Sequence, residues 1–139
     1  AFGLVGGEPN AIQGGKRPLS SMTPTIVFKD GQPLLATGSP GGSRIITMVM
    51  QILLNVIDHN LNIAEATASP RIHHQWRPDK LWVEQGVGPD TLAILRRRGH
   101  VVTPSRAAGS VQSVMRVAKG GGFLGASDPR SPGALSAGY

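Results

Sequence analysis

From Arg44 to His59 the chain carries no Gly and no Pro, although 19 of its 139 residues are Gly and 11 are Pro. Within that stretch Ile45, Val49, Ile52 and Val56 recur at helical spacing, and Ile46, Leu53 and Ile57 widen the stripe. Such a pattern predicts a helix with a broad buried face, begun by Ser43 as N-cap and ended by Asn60. Whatever this sequence folds into has to cover that helix.

The flanking segments supply the cover. Thr25-Ile26-Val27-Phe28 is a β-favouring run, Asp30-Gly31 is a two-residue hairpin signal, and Pro33 to Thr37 returns as a second strand ending at Gly38. Asn62 with Glu65 three residues later predicts a capped start for a short helix before Pro70. Leu81 to Glu84 reads as a strand, and Pro89 to Arg98 as a helix with Pro at its first position and Gly99 as its stop. Val101-Val102 and Ser110 to Val117 read as strands, the latter turning through Gly120-Gly121-Gly122 into Phe123 to Ala126. The first 17 residues and the tail from Ser127 are irregular. With no internal repeat and no dividing linker, one α+β unit is expected.

Several classes drop out on composition. The chain is 40% hydrophobic, and its Gly and Pro follow no period, so collagen, coiled coil and wholesale disorder are disfavoured. No run approaches the length of a membrane span, and no secretory-type leader is seen. The chain opens on Ala1 and not on an initiator Met, so its front is read as cut or processed. With no cysteine, a disulfide scaffold, a thiolate zinc site and a cysteine nucleophile are excluded. The net charge of +6 lies in the second half, where residues 71–139 hold ten Lys/Arg against four Asp/Glu. That asymmetry raises an acidic partner without choosing one.

Two places could carry chemistry. Gly41 and Gly42 precede the long helix, where unpaired first amides can face an anion, which makes both oxyanion-hole candidates. The plainer reading is a strand-to-helix turn that needs small residues. Ser20-Ser21 sits at the entrance to a strand, where two hydroxyls could hold a carboxylate, although serines near Pro commonly serve turns. Familiar motifs fail. A phosphate loop finds Asn10 and Arg17 where Gly and Ser or Thr are needed, and a serine-hydrolase elbow on Ser39 finds Thr37. His59, His73, His74 and His100 lack metal-ligand spacing. Arg96-Arg97-Arg98 reads as a solvated helix end, and Trp76 and Trp82 as packing anchors. Three Phe, two Trp and one Tyr leave a nucleic-acid module short of stacking groups.

Read as strings, Lys16-Arg17-Pro18-Leu19-Ser20-Ser21-Met22-Thr23-Pro24-Thr25-Ile26 and Thr37-Gly38-Ser39-Pro40-Gly41-Gly42-Ser43-Arg44-Ile45-Ile46 resemble the small-subunit core of γ-glutamyltranspeptidases. So do Ala64-Glu65-Ala66-Thr67 with Pro70-Arg71, His73-His74-Gln75-Trp76, Gly125-Ala126-Ser127-Asp128-Pro129-Arg130 and the closing Ala137-Gly138-Tyr139. The likeness runs nearly end to end in colinear order.

The resemblance implies an N-terminal-nucleophile hydrolase fold, an αββα sandwich made when a precursor cleaves itself into large and small subunits. It implies a threonine nucleophile that opens the small subunit and attacks γ-glutamyl amides such as glutathione, with transfer to water, an amino acid or a peptide. On that likeness Gly41 and Gly42 supply the oxyanion-hole amides, and Ser20 and Ser21 hold the substrate α-carboxylate. No cofactor or metal is implied, and the setting would be periplasmic or extracellular. Every threonine here is internal, so residues 1–139 are expected to be a partial domain without the nucleophile, inactive alone and prone to self-association. The expected partners are the large subunit and the remaining N-terminal segment of the small one. The nearest alternatives are a cephalosporin acylase or a poly-γ-glutamate processing enzyme, and more distantly a basic nucleic-acid-binding module.

Overall fold

Asp30 and Gly31 both take positive φ, 52° and 71°, the twist a two-residue hairpin turn requires. They join β1 (Thr25–Lys29) to β2 (Gln32–Gly38) in antiparallel register, with a bulge after Val27. The computed structural model describes residues 6–117 and 120–138, so residues 1–5 of the irregular front and Tyr139 of the closing string lie outside the described residues. The described part of that front is exposed and contains one 3₁₀ turn, Glu8–Asn10.

The long helix follows as α1 (Ile45–Ile57), and Asn60 takes φ 55° just beyond it, the left-handed stop expected there. The next helix, α2 (Ile63–Ala68), opens on the reciprocal cap: Asn62 Oδ1 accepts from the Glu65 N–H at 2.9 Å, and Glu65 Oε2 accepts from the Asn62 N–H at 3.3 Å. Further along come β3 (Ile72–His73), β4 (Leu81–Glu84), α3 (Pro89–Arg97), β5 (Val102–Ser105), β6 (Gln112–Arg116) and β7 (Phe123–Ser127). Gly99 stops α3 at φ 91°.

Two sheets result. The larger has the order β1-β2-β6-β7, antiparallel throughout. The smaller has the order β3-β4-β5, with β4 and β5 parallel and α3 as the crossover between them. Helices α1 and α2 pack on one face of the larger sheet. Ile45, Met48, Val49 and Ile52 from α1 meet Leu35, Ile63, Val111 and Ala126 in one core. The opposite face carries the cross-strand row Ile26, Ala36, Val114 and Gly125, and Ile26 stays 62% exposed. An apolar sheet face is therefore left without a covering layer among the described residues.

Four expectations need correction. Ile46 and Ile57 are half exposed instead of buried, because the core stripe runs through Met48 and leaves Ile46, Met50, Leu54 and Ile57 as a second apolar stripe pointing outward. The strand expected at Val101-Val102 starts only at Val102 and continues to Ser105, since parallel pairing to Leu81–Glu84 sets its register. Ser43 caps nothing, as its hydroxyl is engaged elsewhere. Trp76 is no packing anchor: it is exposed, with the Arg77 guanidinium 4.7 Å from its ring centroid. The two-residue β3 went unread because nothing so short has a period; Gln51 on α1 holds it by bonding both the N–H and the carbonyl of Ile72.

What joins the two sheets is ionic. Arg71 Nη2 lies 2.8 Å from Asp128 Oδ2, Arg130 Nη1 3.1 Å from Asp128 Oδ1, and Arg130 Nη2 2.6 Å from Glu84 Oε2. All four side chains are almost wholly shielded from solvent, yet nearly every lone pair has a donor. Glu84 also accepts from the N–H groups of Arg71 and Ala108, and Asp128 from those of Val111 and Arg130. The two guanidinium groups in turn donate to carbonyls of Thr67, Ser69 and Ala108.

Burial alone would push both carboxyls up. Arg130 and two backbone N–H groups outweigh it at Glu84, and backbone N–H groups with both arginines outweigh it at Asp128, so both sit below the usual carboxylate range. A depressed folded-state pKa stabilises above the ordinary value of about 4, and that stabilisation is lost as pH falls through it. Glu84→Ala or Asp128→Ala is expected to cost about 3–5 kcal/mol at pH 7, because each strands a buried cation. In urea titrations the gap between wild type and either variant should shrink below pH 4, and a gap independent of pH would contradict the ionic account.

Candidate functional site

Strand β2 ends at Gly38, and the chain passes Ser39 and Pro40 into Gly41 and Gly42, with φ 152° and 59°. Gly42–Arg44 then forms a 3₁₀ turn that leads straight into α1. The Arg44 N–H donates to Gly41 O at 3.2 Å and the Ile45 N–H to Gly42 O, so the carbonyls of the turn are used. Its nitrogens are not: among the described residues, neither the Gly41 nor the Gly42 N–H donates to a protein acceptor. Two amide donors at a helix start are thus left without protein partners.

Gly41 is required twice over. Its φ is one that side chains rarely adopt, and a Cβ there would collide with Met48 Cε. Met48 also leaves no room for a side chain at Gly109, so this one buried thioether underlies both the turn and the loop ahead of β6. Ser39 ties that loop to the turn, its Oγ accepting from the Ser110 N–H at 3.0 Å.

Of the hydroxyl pair, Ser21 reaches the turn directly. Its Oγ donates to Gly42 O at 2.7 Å across 21 residues of sequence. Ser20 does not touch the turn; its Oγ accepts from the Met22 N–H at 3.2 Å, which leaves the hydroxyl proton available to an incoming acceptor. The structure therefore brings Ser21 and Gly42 together and leaves Ser20 on an exposed neighbouring segment. A concavity of about 900 Å³ runs along the uncovered sheet face and ends at Gly38, Ser39 and Pro40, one residue short of Gly41.

Behind the turn lies a side-chain chain to which the sequence gives no site role, Ser43 being expected only as an N-cap. Ser43 Oγ donates to Gln75 Oε1 at 2.9 Å, His73 Nε2 lies 2.9 Å from that same oxygen, and His73 Nδ1 lies 2.7 Å from Thr47 Oγ1. The imidazole stacks on Trp82 at 5.5 Å, and the Arg44 guanidinium sits 5.6 Å from the Trp82 ring. Burial lowers the His73 pKa, with Arg44 and His74 pushing the same way against the Gln75 hydrogen bond. The ring is therefore neutral at pH 7. Because Gln75 presents an oxygen, Nε2 holds the proton, and Nδ1 faces the Thr47 hydroxyl, which also lies 3.0 Å from the Arg44 carbonyl. The one signal for this group was Ser43, a hydroxyl directly after two glycines.

Gly41→Ala is expected to cost about 1–3 kcal/mol through backbone strain and displacement of Met48. Gly38→Ala, where an added Cβ meets open space, should change stability by only about 0.5 kcal/mol. Thermal denaturation of the two variants side by side checks the contrast.

Comparison with known proteins gives one consistent outcome. The sequence profile of the gamma-glutamyltranspeptidase family matches residues 1–138. The chain is 59% identical over 138 residues to a glutathione hydrolase proenzyme of Escherichia coli (strain K12), covering 99% of this chain and 24% of that protein. It thus spans about a quarter of the length of that relative. Its fold is similar to that of a mutant gamma-glutamyltranspeptidase from Helicobacter pylori, with TM-score 0.90 and 48% identity over 94% of this chain and 72% of the other. A gamma-glutamyltranspeptidase from Pseudomonas nitroreducens is also similar, with TM-score 0.88 and 38% identity over all of this chain and 73% of the other. The α+β architecture is accordingly part of an N-terminal-nucleophile hydrolase sandwich, and the chain belongs to the gamma-glutamyltranspeptidase family.

Proposed function

We propose that residues 1–139 form a partial domain of a γ-glutamyl transferase or hydrolase, and that this domain furnishes the oxyanion hole and part of the donor subsite. The observation that carries the reading is the Gly41–Gly42 turn, whose two N–H groups have no acceptor among the described residues while the carbonyls of both glycines are engaged. A threonine outside this chain attacks the γ-carbonyl of a γ-glutamyl amide such as that of glutathione. The carbonyl π pair moves onto oxygen, and the Gly41 and Gly42 N–H groups receive that charge. Collapse expels the amine, which takes a proton, and leaves a γ-glutamyl ester that water or an amino acid then cleaves.

Ser20 and Ser21 hold the donor's α-carboxylate. Ser20 can donate as it stands, whereas Ser21 has to turn its hydroxyl from Gly42 O toward the substrate. The uncovered row Ile26, Ala36, Val114 and Gly125 takes the second sheet of the sandwich, supplied by the large subunit and the rest of the small one. Without them the chain is catalytically silent and self-associates through that face. No helix among the described residues is long and apolar enough to cross a membrane, and a periplasmic or extracellular setting belongs to the same reading.

The hydroxyl pair separates by its kinetics. In the complete enzyme, Ser20→Ala should raise KM for a γ-glutamyl donor about tenfold with kcat nearly unchanged, as expected when uniform binding is lost. Ser21→Ala should raise KM by less, since wild-type Ser21 gives up its bond to Gly42 O to reach the substrate. A chromogenic γ-glutamyl amide assay reads both; wild-type constants for either variant would remove that serine from the subsite, and turnover by the isolated 139-residue chain would overturn the missing nucleophile.

A further inference from the structure

The oxyanion turn is a backbone device, and backbone N–H groups stabilise a developing charge only if the turn holds still. Gly41 and Gly42 cannot hold it themselves, since glycine is the least restricted residue in the chain. Before substrate arrives, Ser21 holds it on one side through Gly42 O. On the other side, the first side chain after the glycines is Ser43, and it reaches away from the turn to Gln75 Oε1 at 2.9 Å.

We propose that His73 is a positioning residue for this reaction, holding the Gly41–Gly42 turn through Gln75 and Ser43. The inference rests on the oxyanion-hole reading above. His73 Nε2 and Ser43 Oγ converge on the same amide oxygen, whose amide nitrogen donates to the Arg77 carbonyl, so the imidazole helps fix where Gln75 Oε1 lies and thereby where Ser43 is pulled. The imidazole is itself immobilised on three sides: Trp82 stacks on its face, Thr47 bonds Nδ1, and its main chain pairs with β4. Thr47 lies one helical turn past Ser43, so α1, β3 and the oxyanion turn close into one ring of contacts. His73 is 6% exposed, which suits a role exerted through Gln75 and not on the reacting atoms.

A holder of the turn acts on charge that exists only in the transition state, so its loss lowers kcat and leaves KM alone. A purely structural residue would instead reduce the amount of folded enzyme at unchanged turnover per site. The experiment is steady-state kinetics on the complete enzyme, both subunits present, with active sites counted by a covalent glutamine analogue. His73→Phe keeps the stack on Trp82 and removes both nitrogens; Ser43→Ala removes only the hydroxyl. Each is expected to lower kcat per titrated site by about 10- to 100-fold, short of the 10²–10³ for losing an oxyanion donor outright. KM should stay within about twofold, and the double variant should be no more than about twofold below the weaker single one, because both break one linkage.

Wild-type kcat per site in either variant, a rise confined to KM, or independent multiplication of the two losses would overturn the inference. Should His73→Phe fail to fold, Ser43→Ala alone decides by the same split. A wild-type enzyme without γ-glutamyl turnover would instead bring down the oxyanion-hole reading itself, which keeps the two failures apart.

Discussion

Two arginines and two carboxylates, buried together, hold this fold in register. Arg71 stands between α2 and β3, Glu84 ends β4, and Asp128 and Arg130 follow β7, so the cluster sits where both sheets and a helix meet. Desolvating four charges is costly, and the arrangement is viable because almost every acceptor and donor is matched, by backbone N–H groups as much as by the opposite charge. A greasier contact would have left the sheets free to slide. Directional bonds to Glu84 and Asp128 set one relative placement, and with it the distance between β3, which carries His73, and β2, which ends at the glycine turn.

The turn itself owes its two unengaged donors to the main chain alone. Gly41 is required by φ and by Met48, and Gly42 is held from outside by Ser21. The rigidity resides in the second rank: Met48 below, Ser39 and Ser110 on one flank, and Ser43 with Gln75 and His73 on the other. Such support places two amide donors at the mouth of a long helix, and in the proposed reaction they would meet the developing oxyanion without a charged group beside them.

Local rules were legible in the residues. Asp30-Gly31, the Asn62 and Glu65 cap, Asn60 as a stop and Pro89 to Gly99 all depend on a few neighbouring positions, and each appears where the sequence put it. Non-local facts were opaque. Nothing near Arg71 announces that its carboxylate is Asp128, and β3 exists only because Val83 and Trp82 pair with it and Gln51 bonds its edge. The helix stripe misled for a related reason: α1 is apolar nearly all round, so periodicity could not say that Met48 faces inward while Ile46 and Ile57 do not. Gly41, Gly42, Ser20 and Ser21 stand out by string resemblance with a chemical rationale beside it, while Gln75 and His73 belong to a resembling string whose link to Ser43 only the distances show.

The separation of the ionic partners along the chain has a bearing on how the protein is made. Arg130 lies 46 residues after Glu84 and 63 after Thr67, whose carbonyl it also satisfies. On a ribosome, Arg71 and Glu84 emerge well before either counter-charge on the far side of β7 has been synthesised. Until then they favour water over the interior, and the two sheets stay apart, so docking is a late event that awaits the last strand. A nascent chain stalled before Asp128 would accordingly hold hairpin and helices by their apolar core alone, with Arg71 and Glu84 short of their counter-charges.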